Sequence, residues 1–325
     1  MKSGSEADRR TASMMALEAR LAFYRNALQC FVTRRNAAKV IGGTAAALLF
    51  SREMGAASLA AEQMMMRVIP SSGEKLPVIG LGTWQTFDVD PSKSGSLAEV
   101  LRAFVKLGGR VIDSSPMYGR SEEVIGNILT TLRLRNSVFL ATKVWTHGKQ
   151  AGIESMERSF ARLHNLVDVE TQLQTMREWK GQGRFRYLGI THYNASAFAE
   201  VAKILAHEKL DFLQINYSIT EREAEEKILP LAQERGVAVI VNRPFGGGNL
   251  FHRVRGKPLP DFTSEFDSNS WAQFFLKWII AHPAVTCTIP ATNSIQHLED
   301  NMRAGVGKLP DARMRQRMID AVEKL

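Results

Sequence analysis

The sequence predicts an α/β fold in which short parallel strands alternate with amphipathic helices, and three observations carry that prediction. Short apolar runs end abruptly in functional side chains: Val111-Ile112 leads into Asp113, and Val138-Phe139-Leu140-Ala141-Thr142 leads into Lys143. Between such runs lie longer segments whose apolar residues recur at helical spacing, as in Leu97, Val100, Leu101, Phe104 and Val105. The Gly108-Gly109 pair separates that segment from the Asp113 run, as a helix C-terminus turning into a strand requires. Two parallel neighbours joined by a helix would project Asp113 and Lys143 from one end of one sheet, where α/β folds place their chemistry.

The elements follow in order. Residues 77–84 read as the first strand, whose glycines would let substrate approach closely, with Trp84 as a pocket wall at its end. A helix over 96–107 precedes the Asp113 strand, and Pro116 and Gly119 bend the loop that carries Tyr118. Ser121, followed by two acids, opens a helix over 121–132. The Lys143 strand comes next, then Trp145, a second pocket wall or a packed core aromatic, and a helix over 153–163. Further helices are expected at 171–180, 195–208, 221–235, 270–281 and 310–325. Strands are expected at 186–191, 211–217, 237–242 and 286–292. The run Gly246-Gly247-Gly248 before Leu250 would let backbone N–H groups approach a pyrophosphate.

The trio Asp113, Tyr118 and Lys143 has a direct chemical use. A phenol with a pKa near ~10 is a poor donor at neutral pH. An adjacent ammonium should stabilise the phenolate and lower that pKa, and a carboxylate behind the lysine would hold the ammonium in place. The product is a general acid for a carbonyl oxygen.

With these residues in place, the chain resembles the aldo/keto reductase family. The matching pieces are Ile79-Gly80-Leu81-Gly82-Thr83-Trp84, Asp113 with Tyr118-Gly119, and Ala141-Thr142-Lys143. Gly189-Ile190-Thr191, Gln214-Ile215-Asn216-Tyr217, and Ile289-Pro290-Ala291-Thr292 with Asn301 complete the order. The resemblance implies a (β/α)8 TIM barrel over residues 61–325 that reduces aldehydes or ketones with NAD(P)H, Tyr118 being the general acid. An α/β barrel commonly uses ~250 residues as one domain, so the length does not demand a second. The alternative is a catalytically impaired barrel that binds nucleotide or a partner protein.

The resemblance also implies roles for individual residues. Gln214 would bond the nicotinamide carboxamide together with Thr191, and Tyr217 would stack on the ring; otherwise the two are a buried glutamine and a core tyrosine. Gly247, Gly248 and Leu250 would meet the pyrophosphate, and Thr292, His297 and Asn301 the adenosine end. NADP is the implied cofactor, with NAD as the alternative, because Ala291 and His297 stand where NADP-preferring relatives present a Lys and an Arg. His164 would be the family's histidine beside the tyrosine, but strand 4 is missing or degenerate. A strand of about five residues must climb ~16 Å at ~3.3 Å per residue, and Arg162-Leu163 runs straight into His164 instead. Such a gap would leave two strand edges in the barrel, and a fault in the sequence is a further explanation for it.

Residues 1–60 read as a separate leader. They carry nine Lys or Arg against four Asp or Glu, more than half of the formal net charge of +9. Thr33-Arg34-Arg35-Asn36 precedes an apolar run at 40–50 and the small residues Ser58-Leu59-Ala60, the layout of a twin-arginine export signal. That run is too short to span a bilayer, so no stable membrane anchor is expected. The export machinery would then be a partner and the periplasm the destination; without a working leader the protein stays in the cytoplasm. The mildly basic remainder shows no basic-aromatic groove for nucleic acid, and Cys30 and Cys287 suggest neither a disulfide nor a metal site.

Overall fold

A computed structural model describes residues 63–144 and 180–325, together with residues 154, 158, 159, 176 and 177. The leader, Trp145, His164 and the question of the fourth strand lie outside the described residues. Within them the chain forms a parallel barrel. Strands β3 (Leu81–Gly82), β4 (Val111–Asp113) and β5 (Phe139–Ala141) make one sheet in that order. Strands β6 (Gly189–Thr191), β7 (Phe212–Asn216), β8 (Ala238–Asn242) and β9 (Val285–Thr288) make the other. Parallel bridges from Ile79 to Thr288 and from Gly82 to Ala291 join the two around the back.

Strand parity divides the core. Val111, Phe139, Phe212, Ile240, Cys287 and Ile289 fill the barrel interior as one cluster. Their strand neighbours Ile112 and Leu140, and Leu213, Val239 and Val241, face outward into the two helix-covered clusters. Helices α1 (Gly95–Lys106), α2 (Ser121–Thr131), α3 (Phe198–His207), α4 (Ile228–Glu234), α5 (Asn249–Arg253), α6 (Trp271–Ile280), α7 (Ile295–Arg303) and α8 (Ala312–Glu323) form the outer layer. On α1 the buried residues are Leu97, Val100, Leu101 and Phe104, the stripe that the helical spacing defines.

Several expectations change. The glycines of the first strand serve barrel packing rather than substrate access. A Cβ on Gly80 would lie 2.9 Å from the Val111 carbonyl oxygen and 3.1 Å from Cys287 Sγ, and one on Gly82 would lie 2.7 Å from the Ile289 carbonyl oxygen. The helix expected over 221–235 is a short 3-10 turn at Glu223–Glu225 followed by α4. Pro230 lacks an N–H and is tolerated only in a first turn, which sets the start of α4 close to Ile228. A hairpin of β1 (Met66–Val68) and β2 (Lys75–Pro77) precedes the barrel and was not expected. It closes the end opposite the site: Arg67 donates to the carbonyl oxygens of Ile280, at 2.6 Å, and His282, at 2.8 Å, capping the end of α6.

Candidate active site

Asp113 ends β4 and Lys143 lies just beyond β5, and both strands turn these residues toward the interior. Counting by twos from Val111 and from Phe139 reaches them, so the face that buries apolar side chains below presents the charged pair at the mouth. Lys143 Nζ donates to Asp113 Oδ2 at 2.6 Å and to the Ser114 carbonyl oxygen at 2.8 Å. Both side chains are only 3% exposed. Tyr118 reaches the same point from the loop above: the Lys143 ammonium lies 5.1 Å from the centre of its ring, and the two side chains also hydrogen-bond. Behind them, the Thr83 hydroxyl donates to the Asp113 carbonyl oxygen at 2.9 Å. The three residues singled out in the sequence therefore converge.

The electrostatics correct one expectation. Burial pushes the Tyr118 phenol up, the Lys143 charge pulls it down, and Asp113 pushes it up again; the net direction is above the usual value, not below it. Lys143 alone would acidify the phenol, but Asp113 neutralises much of the effect and little water remains to solvate a phenolate. Lys143 itself is raised: burial opposes its charge, and Asp113 and Tyr118 more than offset that. The arrangement at neutral pH is thus a protonated phenol beside a charged ammonium. It can hold a proton ready for a carbonyl oxygen, and it can stabilise the phenolate left behind.

A second network adjoins the first. Gln214 Nε2 donates to Asp113 Oδ1 at 2.9 Å, and the Thr191 hydroxyl donates to Gln214 Oε1 at 2.8 Å. Asn242 Nδ2 donates to the His192 carbonyl oxygen at 3.0 Å, with Gln214 Oε1 3.5 Å away. Asn216 Nδ2 donates to Glu221 Oε2 at 3.0 Å. Three buried oxygens around this network have no protein hydrogen-bond partner: Ser114 Oγ, Asn216 Oδ1 and Asn242 Oδ1. Unmatched acceptors beside a proton donor suit the amide of a nicotinamide, so the residues present fit that cofactor's reactive end. Asn216 and Asn242 were missed in the sequence, although each lies two residues beyond an interior residue of its strand.

The remaining site residues divide. Tyr217 is not a ring-stacking residue: it follows Leu213 and Ile215 on the outer face, because three residues from Gln214 is an odd step along a strand. Its ring centre lies 5.0 Å from that of Trp278, and its hydroxyl is bonded to Glu225 and Arg315. Leu250 is a core side chain whose N–H is bonded to the Phe245 carbonyl oxygen at 3.3 Å. Gly246, Gly247 and Gly248 all have positive φ, of 58°, 68° and 99°, and shape the loop above β8. Beside Gly247 stands the Arg243 guanidinium, a charge not anticipated from sequence, 3.7 Å from Glu221 Oε1. Thr292 and Asn301 are buried, His297 is exposed on the first turn of α7, and Trp84 stands half-exposed at the barrel mouth.

Most of the chain is similar to known proteins. The model of the aldo/keto reductase family matches residues 78–323. The chain is 29% identical over 256 residues to methylglyoxal reductase YeaE of Escherichia coli, covering 73% of this chain and 89% of that protein. It is 28% identical over 227 residues to aldo-keto reductase YhdN of Bacillus subtilis, covering 61% and 66% respectively. Among solved structures, an aldo-keto reductase from Klebsiella pneumoniae in complex with NADPH superposes with a TM-score of 0.64 at 23% identity, over 81% of this chain and 95% of that one. The holo form of an aldo-keto reductase from Bacillus halodurans gives the same TM-score at 22% identity, over 80% and 96%.

Proposed function

Because the chain belongs to the aldo/keto reductase family, we propose that it is an NADP-dependent reductase of aldehydes or ketones, with Tyr118 as its general acid. The observation that carries the reading is the convergence of Asp113, Tyr118 and Lys143 at the C-terminal mouth of a parallel barrel, with 2.6 Å between Lys143 Nζ and Asp113 Oδ2. NADPH, when bound, supplies the hydride that adds to the carbonyl carbon. Tyr118 gives its hydroxyl proton to the carbonyl oxygen, so the product is an alcohol and the residue is left as a phenolate. Lys143 stabilises that phenolate, and Asp113 keeps Lys143 charged and fixed. Gly247, Gly248 and Arg243 would hold the pyrophosphate, and Thr292, His297 and Asn301 the adenosine end.

The substrate is a small carbonyl compound, for which methylglyoxal, named in one relative, is the first to test. Oxidation of NADPH with methylglyoxal and a panel of aldehydes and quinones tests the reading. Tyr118→Phe should lower kcat by a factor on the order of 10²–10⁴ while NADPH still binds. Nucleotide binding without turnover on any carbonyl would refute the reading. We also propose that residues 1–60 are a twin-arginine leader that delivers the folded enzyme to the periplasm, supported by Arg34-Arg35 ahead of the apolar run. Replacing Arg34 and Arg35 with Lys should retain the protein in the cytoplasmic fraction; unchanged export would refute this.

A further inference from the structure

The loop that carries Tyr118 is shaped by short-range bonds. The Tyr118 N–H donates to the Ser115 carbonyl oxygen at 3.0 Å, and the Ser121 N–H to the Tyr118 carbonyl oxygen at 3.0 Å. Such bonds fix the form of a turn but not its place above the barrel. The place is set from the loop between β3 and α1, where Asp88 Oδ1 accepts from the Arg120 backbone N–H at 2.9 Å, across 32 residues of sequence. Arg120 immediately precedes α2 and provides no side-chain cap for it. Asp88 supplies an acceptor there from another element, at a helix start that favours negative charge.

Gly119 shows how closely the two loops approach: its φ is 55°, and a Cβ there would collide with the Asp88 carboxylate. Asp88 is exposed, so its bond would count for little if the surrounding chain were free to move. That chain is anchored on both sides. Phe87 is fully buried in the cluster beneath α1 and α2, and Asp90 accepts from the Ser92 N–H at 3.0 Å to open the 3-10 turn Pro91–Lys93. Between Trp84 and Phe87 the backbone passes through Gln85 at a φ of 61°, a strained conformation for a residue with a Cβ and one that is retained mostly near functional sites. The root of the loop is tied to the same machinery, since the Thr83 hydroxyl donates to the Asp113 carbonyl oxygen at 2.9 Å. A further tie, from Arg120 to Asp90 at 2.9 Å, joins side chains 53% and 51% exposed, where water screens it.

Building on the reading of Tyr118 as the general acid, we infer that Asp88 is a positioning residue that places the Tyr118 hydroxyl by clamping the backbone of its loop to the loop bearing Trp84. What the clamp requires is an accepting oxygen at the Arg120 N–H; the charge of Asp88 is secondary. A proton donor must stand within hydrogen-bond reach of the oxygen it protonates, and a misplacement of about 1 Å can cost on the order of 10²-fold in rate. Nucleotide affinity should be insensitive to the clamp, because none of the residues assigned to the cofactor lies on either loop.

NADPH oxidation with a carbonyl substrate, together with calorimetric titration of the full chain with NADPH, tests the assignment. Asp88→Ala should lower kcat about tenfold or more and keep NADPH affinity within about twofold; the retained affinity also shows that the variant is folded. Asp88→Asn preserves an accepting oxygen and should restore kcat to within about threefold of the wild type. Gly119→Ala, whose methyl would displace the Asp88 carboxylate, should slow the enzyme as Asp88→Ala does, and the double variant should be little slower than either single one. An Asp88→Ala variant with the kcat of the wild type would overturn the inference, as would an Asp88→Asn variant as slow as Asp88→Ala. Loss of NADPH affinity in step with kcat would also overturn it, since the defect would then be general. A wild-type chain that oxidises NADPH with no carbonyl compound would overturn the reductase reading itself.

Discussion

Replacing Asp113 with Asn probes the site at its most buried charge. The Asp113 carboxylate accepts on both oxygens, from Lys143 Nζ at 2.6 Å and from Gln214 Nε2 at 2.9 Å. An asparagine has one accepting oxygen, so its NH2 must face either an ammonium or an amide donor, and neither can accept. Lys143 keeps the Ser114 carbonyl oxygen and Tyr118 but loses its carboxylate. A surface pair of this kind contributes about 0–1 kcal/mol. Here both side chains are 3% exposed, and removal of one partner from a buried pair costs about 3–5 kcal/mol. Urea unfolding should therefore show Asp113→Asn, and separately Lys143→Met, destabilised in that range. The double variant should recover most of the loss, because no charge is then left buried, and it should remain inactive in NADPH oxidation. A loss below about 1 kcal/mol for Asp113→Asn, or a double variant as unstable as the two singles added, would refute a buried, mutually dependent pair.

Other outcomes follow from the same geometry. Because burial holds the Tyr118 phenol above its usual 10.0, and the protonated form is the donor, kcat/KM for reduction should stay flat through neutral and mildly alkaline pH and fall only beyond the ordinary phenol range. A fall near pH 8 would mean that Lys143 dominates after all. Arg243→Ala should weaken NADPH and 2′-phospho-ADP-ribose alike by about tenfold, with a shallower salt dependence, if its guanidinium beside Gly247 meets the pyrophosphate; calorimetry in rising salt checks this. At the opposite end of the barrel, burial and the charges of Arg315 and Arg67 hold His282 below its usual 6.5, against the pull of Glu225. The unfolded chain then takes up that proton first, so stability should decline as pH falls below 6.5, and His282→Gln should remove that part of the decline. Glu225 is itself held below 4.5: burial opposes its charge, but the bonds from Tyr217 and Arg315 prevail, so its contribution is present above 4.5 and lost as pH falls further. Thermal unfolding across pH 3–8 would show both steps.

The division between sequence and structure follows one physical line. Asp113 and Lys143 were legible because each ends a short apolar run, and the end of a buried parallel strand is where a charge can meet solvent or substrate. The loop carrying Tyr118, the helical stripe of α1 and the Gly run above β8 were legible for the same reason: each is set by residues close together in the chain. Tyr217 was misread where parity could have corrected it, since Gln214 and a residue three positions later cannot share a face.

Asn216 and Asn242 are a different case, because their partnership depends on the register of β7 against β8, which no local pattern encodes. The direction of the Tyr118 shift is likewise a sum over burial, an ammonium from β5 and a carboxylate from β4. Local pattern was enough to pick out the residues able to do the chemistry and to expect parallel strands alternating with helices, because strand periodicity and strand ends are local properties. The barrel itself was implied by the family resemblance. Which acceptors stay unmatched, where Tyr217 spends its hydroxyl and how tightly the phenol keeps its proton emerge with the folded chain. Those depend on hydrogen-bond saturation and the exclusion of water, which arise only once distant strands close around a common interior.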